Sequence, residues 1–230
     1  MATVKVFSGN GHSSSLKELL PLFERDNNCK VEVRYEPAQV TLREVKAGAS
    51  ADLGIIGSSV MEQIIAMGKI APGSARVLTR NGVGVGVLKG APRPDLSTVD
   101  SFKRALLAAK SVAYTTDGAS GIYFAGLIER LGIAEAIKAR AKTRSGGLIA
   151  EFVASGDAEL AVQQIPEIMA VPGIDYAGPL PAEIQSITVT RIAVFTDAKE
   201  PGLAQRLFDY LLSADAARVF RARGMEPEAG

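Results

Sequence analysis

Three times in its N-terminal third the chain passes from a strand-like segment through a short polar turn into a helix-like segment, and that repetition leaves few folds open. Thr3, Val4, Lys5, Val6 and Phe7 alternate as a strand, and Leu16, Leu19, Leu20 and Phe23 recur at helical spacing. Lys30 to Glu36 alternates again, and after Pro37-Ala38-Gln39-Val40 a helix is expected from Thr41 through Ala47, stopping at Gly48. Asp52 to Ile56 reads as a buried strand, and Gly57-Ser58-Ser59 opens a third helix through Val60, Ile64 and Ile65. Such alternation predicts an α/β domain with a parallel sheet, whose ligands lie beyond the carboxyl ends of the strands. The first turn, Ser8 to Ser15, brings two glycines and four serines to the start of a helix. Either Ser13 or Ser14 caps that helix, or the free N–H groups there form a seat for an anion.

Gly82-Val83-Gly84-Val85-Gly86-Val87-Leu88 imitates a nucleotide-binding glycine loop, yet every second residue is valine and Pro92 and Pro94 follow. It reads as a long strand with small residues on one face. A second α/β set starts at Ser97. It comprises a helix through Phe102, a strand from Ser111 to Tyr114, the hydroxyl-rich turn Thr115 to Gly121, and a helix with Ile122, Leu127 and Leu131. Thr143 to Gly147 opens another helix through Phe152, and Ala158 to Val162 is a strand ending at Gln163-Gln164. After a long alternating strand from Ile187 to Phe195, Pro201 to Ala222 reads as two helices that return to the first lobe. The expected division places residues 1–82 plus 192–230 in lobe I and residues 83–191 in lobe II, joined by two hinge-crossing strands.

At 230 residues the chain holds one large domain or two small ones, and 47% hydrophobic with 22% charged residues is a globular balance. A net charge of +1 offers no basic field for nucleic acid. One cysteine (Cys29) and one histidine (His12) cannot build a Cys/His zinc site, so neither metal nor cofactor is expected. No stretch is long and apolar enough for membrane insertion. With no leader-like segment before the first strand, the compartment is periplasmic if a leader has been removed and cytoplasmic if Met1 is the native start.

Phosphate-binding loops with a lysine and Gly-x-Ser-x-Gly elbows are missing, and a serine triad would have to borrow His12. What remains is a set of turns at strand ends that offer hydroxyls, amides or bare N–H groups. They hold Asn10, Gly11, His12 and Ser13; Gln39; Ser58 and Ser59; Ser120, Gly121 and Tyr123; Gly146 and Gly147; and Gln163 and Gln164. Arg43 and Arg144 are the nearby cations, with Arg43 read as a solvated surface charge.

Ala47-Gly48-Ala49-Ser50-Ala51-Asp52-Leu53, Gly121-Ile122-Tyr123 and Val153 to Leu160 resemble the periplasmic molybdate-binding proteins of bacterial ABC transporters, and the likeness spans nearly the whole chain. The resemblance implies a two-lobed type 2 periplasmic-binding fold, a small anion captured in an interlobe cleft, and a transporter permease as partner. It also implies a ligand set of two serines, backbone N–H groups and a tyrosine. At those positions this chain has Gly11, then Gln39 or Val40, then Ala119-Ser120 and Gly146-Gly147, then Gln164. Three altered side chains favour an organic carboxylate over molybdate. Scaffolds of this type also resemble some that have acquired catalysis, aconitate isomerase among them. The alternative is therefore an isomerase of small unsaturated carboxylates with His12 as its proton-transfer base.

Overall fold

The computed structural model describes residues 1–228. The chain divides into two compact units: Met1–Arg80 with the chain from Thr188 on, and Asn81–Ile187.

In the first unit β1 (Thr3–Ser8), α1 (Ser13–Asn27), β2 (Lys30–Tyr35), α2 (Ala38–Lys46), β3 (Leu53–Gly57), α3 (Ser58–Ala66) and β4 (Arg76–Asn81) follow in order. The second unit contains β5 (Val83–Leu88), α4 (Val99–Ala108), β6 (Val112–Thr115), α5 (Ala119–Arg130), α6 (Ala134–Lys138) and β7 (Ala141–Arg144). It continues with α7 (Glu151–Ala154), β8 (Leu160–Gln164), α8 (Ile165–Met169) and β9 (Ile174–Pro179). The chain then returns to the first unit as β10 (Thr188–Val194), α9 (Pro201–Leu211), α10 (Ala214–Ala222) and β11 (Glu226–Pro227).

The first sheet has the order β11-β4-β10-β3-β1-β2. Its β2, β1 and β3 are parallel, as the alternation requires, whereas β10 runs antiparallel beside β3, so the sheet is mixed rather than purely parallel. Successive residues of β1 face opposite sides, and each side is covered by helices. Val4 and Val6 meet Leu16 and Phe23 of α1, Leu207 of α9 and Phe220 of α10, while Phe7 meets Leu42 of α2 and Met61 and Ile64 of α3. The last two helices thus complete the first core, as their apolar spacing suggested.

Asp52 explains the alanine-rich motif before β3. Its buried carboxylate accepts hydrogen bonds from the backbone N–H groups of Lys5 (2.7 Å), Lys199 (2.6 Å) and Glu200 (2.9 Å). The Asp52 N–H also donates to the Lys5 carbonyl. One side chain therefore fastens β1 to the segment that starts α9.

The second sheet has the order β7-β6-β8-β5-β9, with β6 parallel to both β7 and β8. The glycine-valine run is a strand, as expected. Val83, Val85 and Val87 enter a core with Phe102, Phe124 and Leu127. The glycines on the opposite face admit close neighbours. A Cβ on Gly84 would lie 2.7 Å from the Tyr176 ring, and one on Gly86 would lie 2.8 Å from Ile168. The helix expected to open at Thr143 to Gly147 and run through Phe152 is shorter than its pattern implied, because β7 occupies Ala141–Arg144 and α7 opens only at Glu151.

Candidate functional site

Parallel pairing gathers the candidate residues into two sets, one for each unit. In the first unit the carboxyl ends of β2, β1 and β3 lie side by side, because the Glu36 N–H reaches the Ser8 carbonyl and the Gly9 N–H reaches the Ile55 carbonyl. The turns carrying Gln39, Asn10 to Ser13, and Ser58 with Ser59 therefore share one sheet edge. In the second unit the carboxyl ends of β7, β6 and β8 place Gly146 and Gly147, Ser120 and Gly121, and Gln163 and Gln164 along another. The Thr116 and Asp117 N–H groups donate to the Arg144 and Ser145 carbonyls and join two of these turns.

Neither α1 nor α3 nor α5 has a side-chain cap, whereas Thr98 caps α4 and Ser213 caps α10. The expected capping by Ser13 or Ser14 is thus absent. Hydroxyls at these openings are buried without a hydrogen-bond partner: Ser14 Oγ and Ser15 Oγ on α1, Ser58 Oγ on α3, and Thr115 Oγ1 below α5. Buried polar atoms are nearly always satisfied, so four orphans at three helix openings mark places where a guest can supply the missing partner. First-turn N–H groups beside them favour a negative one.

Several candidates are already engaged. His12, named as the proton-transfer base of the isomerase alternative, is 3% exposed. Its Nε2 lies 2.8 Å from Thr79 Oγ1, and its ring packs edge-on against Phe220 at 6.0 Å. Burial lowers its pKa to about 4, so the ring is neutral at pH 7. The unfolded chain, by contrast, binds a proton from about pH 6.5 downward. His12 therefore leaves stability intact above about pH 6.5 and removes roughly 3 kcal/mol as the pH falls to about 4. Urea denaturation of the wild type and His12→Gln at about pH 7 and pH 4.5 checks this: the variant is expected to lose distinctly less stability on acidification, and equal losses would exclude His12 as the cause.

Tyr123 donates its hydroxyl to the Ile184 carbonyl (2.7 Å), with the Arg130 guanidinium over its ring. Gln163 is buried, accepting from the Ile149 N–H (2.9 Å) and donating to the Gly147 carbonyl (2.7 Å). Gln164 accepts from the Asn81 amide (2.7 Å). Asn10, Gly11, Ser13, Ser58 and Gly146 are half-buried, Ser120 and Gly121 are buried, and Gln39, Ser59 and Gly147 are exposed. Arg144 is occupied by Glu151, the Leu148 carbonyl and the Phe152 ring, and Arg43 is exposed.

One titratable residue escaped sequence reasoning. Glu167, in the first turn of α8, is half-buried, and burial raises its pKa to about 7 against hydrogen bonds from the Gln163 side chain and the Gln164 N–H. A polar residue at the N-cap followed three positions later by glutamate is the pattern that could have drawn attention to it.

A cavity of about 400 Å³ in the second unit, lined by Pro92, Arg93, Asp95, Arg104, Ala108 and Glu159, contains none of the candidate residues. No helix among the described residues is long and apolar enough to cross a membrane.

Residues 4–226 match the family described as bacterial extracellular solute-binding protein. The chain is 31% identical over 233 residues to an aconitate isomerase of Pseudomonas sp., covering 99% of this chain and 88% of that protein. The periplasmic molybdate-binding protein of Azotobacter vinelandii has the same fold, with a TM-score of 0.79 at 17% identity over 96% of this chain and 98% of that one. The sulfate-binding protein of Mycobacterium tuberculosis shares it too, with a TM-score of 0.75 at 15% identity over 99% and 88% of the two chains. With its two α/β units, its parallel strand edges and a match along nearly its whole length, the chain belongs to the bacterial extracellular solute-binding proteins of the type 2 periplasmic-binding fold.

Proposed function

We propose that this protein binds a small organic carboxylate, with anion contacts offered in the first unit by the first-turn N–H groups of α1 and α3 and the hydroxyls of Ser14, Ser15 and Ser58, and in the second unit by the first turn of α5 and the hydroxyl of Thr115. The supporting observation is that these buried hydroxyls have no partner at three uncapped helix openings. Asn10, Gly11, Ser13, Gln39, Ser59, Ser120 and the Gly146-Gly147 turn line the same two sheet edges and complete the proposed contact set. A carboxylate is favoured over a tetrahedral metal oxyanion because Gly11, Gln39 or Val40, and Gln164 stand where the molybdate-binding resemblance implies serine, serine and tyrosine. Delivery to a transporter permease is the role that this family membership favours.

A second reading, turnover of the bound acid, is favoured by the aconitate isomerase of Pseudomonas sp. at 31% identity. In that reading His12 holds its turn against Thr79, since its imidazole is buried and hydrogen-bonded there. Moving a proton then falls to another group.

Thermal denaturation against di- and tricarboxylates, molybdate and sulfate tests both readings. Ligand at about a hundred times its Kd adds roughly 2.7 kcal/mol, which raises the Tm of a chain this long by about 5–10 °C. The carboxylate reading predicts that shift for at least one organic acid. A shift with molybdate or sulfate alone would replace the ligand class, and no shift with any anion would end the proposal. Proton spectra of the stabilising acid after incubation separate carrier from isomerase: an unchanged spectrum is expected of a carrier, and a migrated double bond of an isomerase.

A further inference from the structure

The cavity of about 400 Å³ in the second unit lies between the loop that carries Arg93 and Asp95, one face of α4 and the start of β8. Leu160 opens β8 and Gln164 closes it, so this hollow stands at the amino edge of the sheet, away from the turns gathered at the carboxyl edge. The α4 residues that reach it are Ser101, Arg104, Ala105 and Ala108, the spacing of one helix face. Its size falls within the range of about 300–1,000 Å³ that small organic ligands occupy.

Floor and rim differ in chemistry. Ser101, Ala109 and Leu160 are buried, whereas Arg93, Asp95, Arg104 and Glu159 are exposed. The floor offers no free polar side chain, because the Ser101 hydroxyl is taken up in the capping box with Thr98. A guest therefore turns an apolar part down and its polar groups toward the rim. Both rim carboxylates are fixed in place by backbone donors, Asp95 Oδ1 by the Ser97 N–H (2.9 Å) and Glu159 Oε2 by the Lys110 N–H (2.6 Å). The guanidiniums are less engaged: among the described residues Arg93 has no hydrogen bond or ion pair, and Arg104 has only the Coulomb attraction of Asp95. Two cations and two anions thus share one hollow. A guest charged with one sign alone gains at one pair and is repelled by the other, whereas a guest carrying both signs gains at each.

We infer that this hollow binds an apolar α-amino acid as its zwitterion, with the carboxylate on the guanidiniums of Arg93 and Arg104, the ammonium on Glu159, and the side chain over Ala105, Ala108 and Leu160. A guanidinium suits the carboxylate end because it can donate to both oxygens at once. The site is separate from the carboxylate-binding turns, so this inference stands or falls independently of the function proposed above.

The test uses the whole protein at about pH 6.5, where an α-amino group is charged, and follows the arginine Nε–H resonances, assigned through Arg93→Met and Arg104→Met. L-Phenylalanine is the probe. Its comparators are N-acetyl-L-phenylalanine, which lacks the positive charge, and L-phenylalaninamide, which lacks the negative one. Phenylalanine is expected to move the Arg93 and Arg104 signals saturably, and each comparator to bind about fivefold more weakly, the scale of one exposed charge contact. Glu159→Gln keeps an acceptor for the Lys110 N–H; it is expected to weaken phenylalanine about three- to fivefold and not to weaken the acetyl derivative. Shifts that never saturate overturn the inference, as do comparators that bind as well as phenylalanine, or a Glu159→Gln protein that holds phenylalanine as tightly as the wild type. Saturable shifts confined to the Ser120, Gly146 and Gly147 backbone also overturn it, and would instead support carboxylate capture at the carboxyl edge.

Discussion

Gly121→Ala is expected to destabilise the second unit by more than about 3 kcal/mol and to abolish anion binding there. A Cβ at this position would overlap the Thr115 carbonyl oxygen and lie 2.5 Å from Thr115 Oγ1. Overpacking commonly costs about 1–3 kcal/mol where a side chain can yield. Here the obstacle is the last backbone carbonyl of β6, where Thr115 is paired with Arg144 of β7. The opening of α5 must therefore move off the sheet, carrying Ser120 and its first-turn N–H groups with it. Gly146→Ala is the control, because nothing lies within 4 Å of its Cβ. Urea midpoints of the two variants check the contrast, and a Gly121→Ala protein as stable as Gly146→Ala would mean that the close approach is not tight.

Asp52→Ala is expected to cost roughly 4 kcal/mol, since each of three backbone donors loses its acceptor at about 1–3 kcal/mol for a buried group. The affected N–H groups belong to Lys5, Lys199 and Glu200, so the loss detaches β1 from the start of α9. Asp52→Asn keeps one oxygen for these donors but adds an amide that has no acceptor, and falls between the two. Guanidinium titration monitored by far-ultraviolet circular dichroism decides the matter. A shift of less than about 1 kcal/mol for Asp52→Ala would show that water replaces the carboxylate at little cost.

The alternation of strand, turn and helix was legible because β1 and β2 alternate apolar with polar residues, β3 is a short apolar run, and the helices that follow them carry an apolar stripe. The strands that escaped notice are of another kind. β7 (Ala-Lys-Thr-Arg) and β9, which contains Gly178 and Pro179, are sheet edges with little burial to impose a pattern. β4 begins and ends in polar residues. The candidate turns were readable as turns, but their occupancy was not. His12 is removed from the surface by Thr79, 67 residues away, and Gln163 is committed to a turn before its own strand. Such pairings depend on register between distant segments, which local spacing does not encode. Asp52 stood inside a motif noticed for its resemblance, while its chemistry was set by Lys199 and Glu200 nearly 150 positions later.

The first sheet is assembled from two ends of the chain, with β10 seated between β3 and β4. While the chain emerges from a ribosome, residues 81–187 can fold as a contiguous block before β10 exists. Until then β3 and β4 each carry an unpaired edge, and Leu16, Leu19 and Phe23 lack the α9 and α10 side chains that later cover them. Nascent chains halted anywhere in that interval are therefore sticky, and a holdase that shields bare strand edges acts on the amino-terminal segment while the central block needs no such escort.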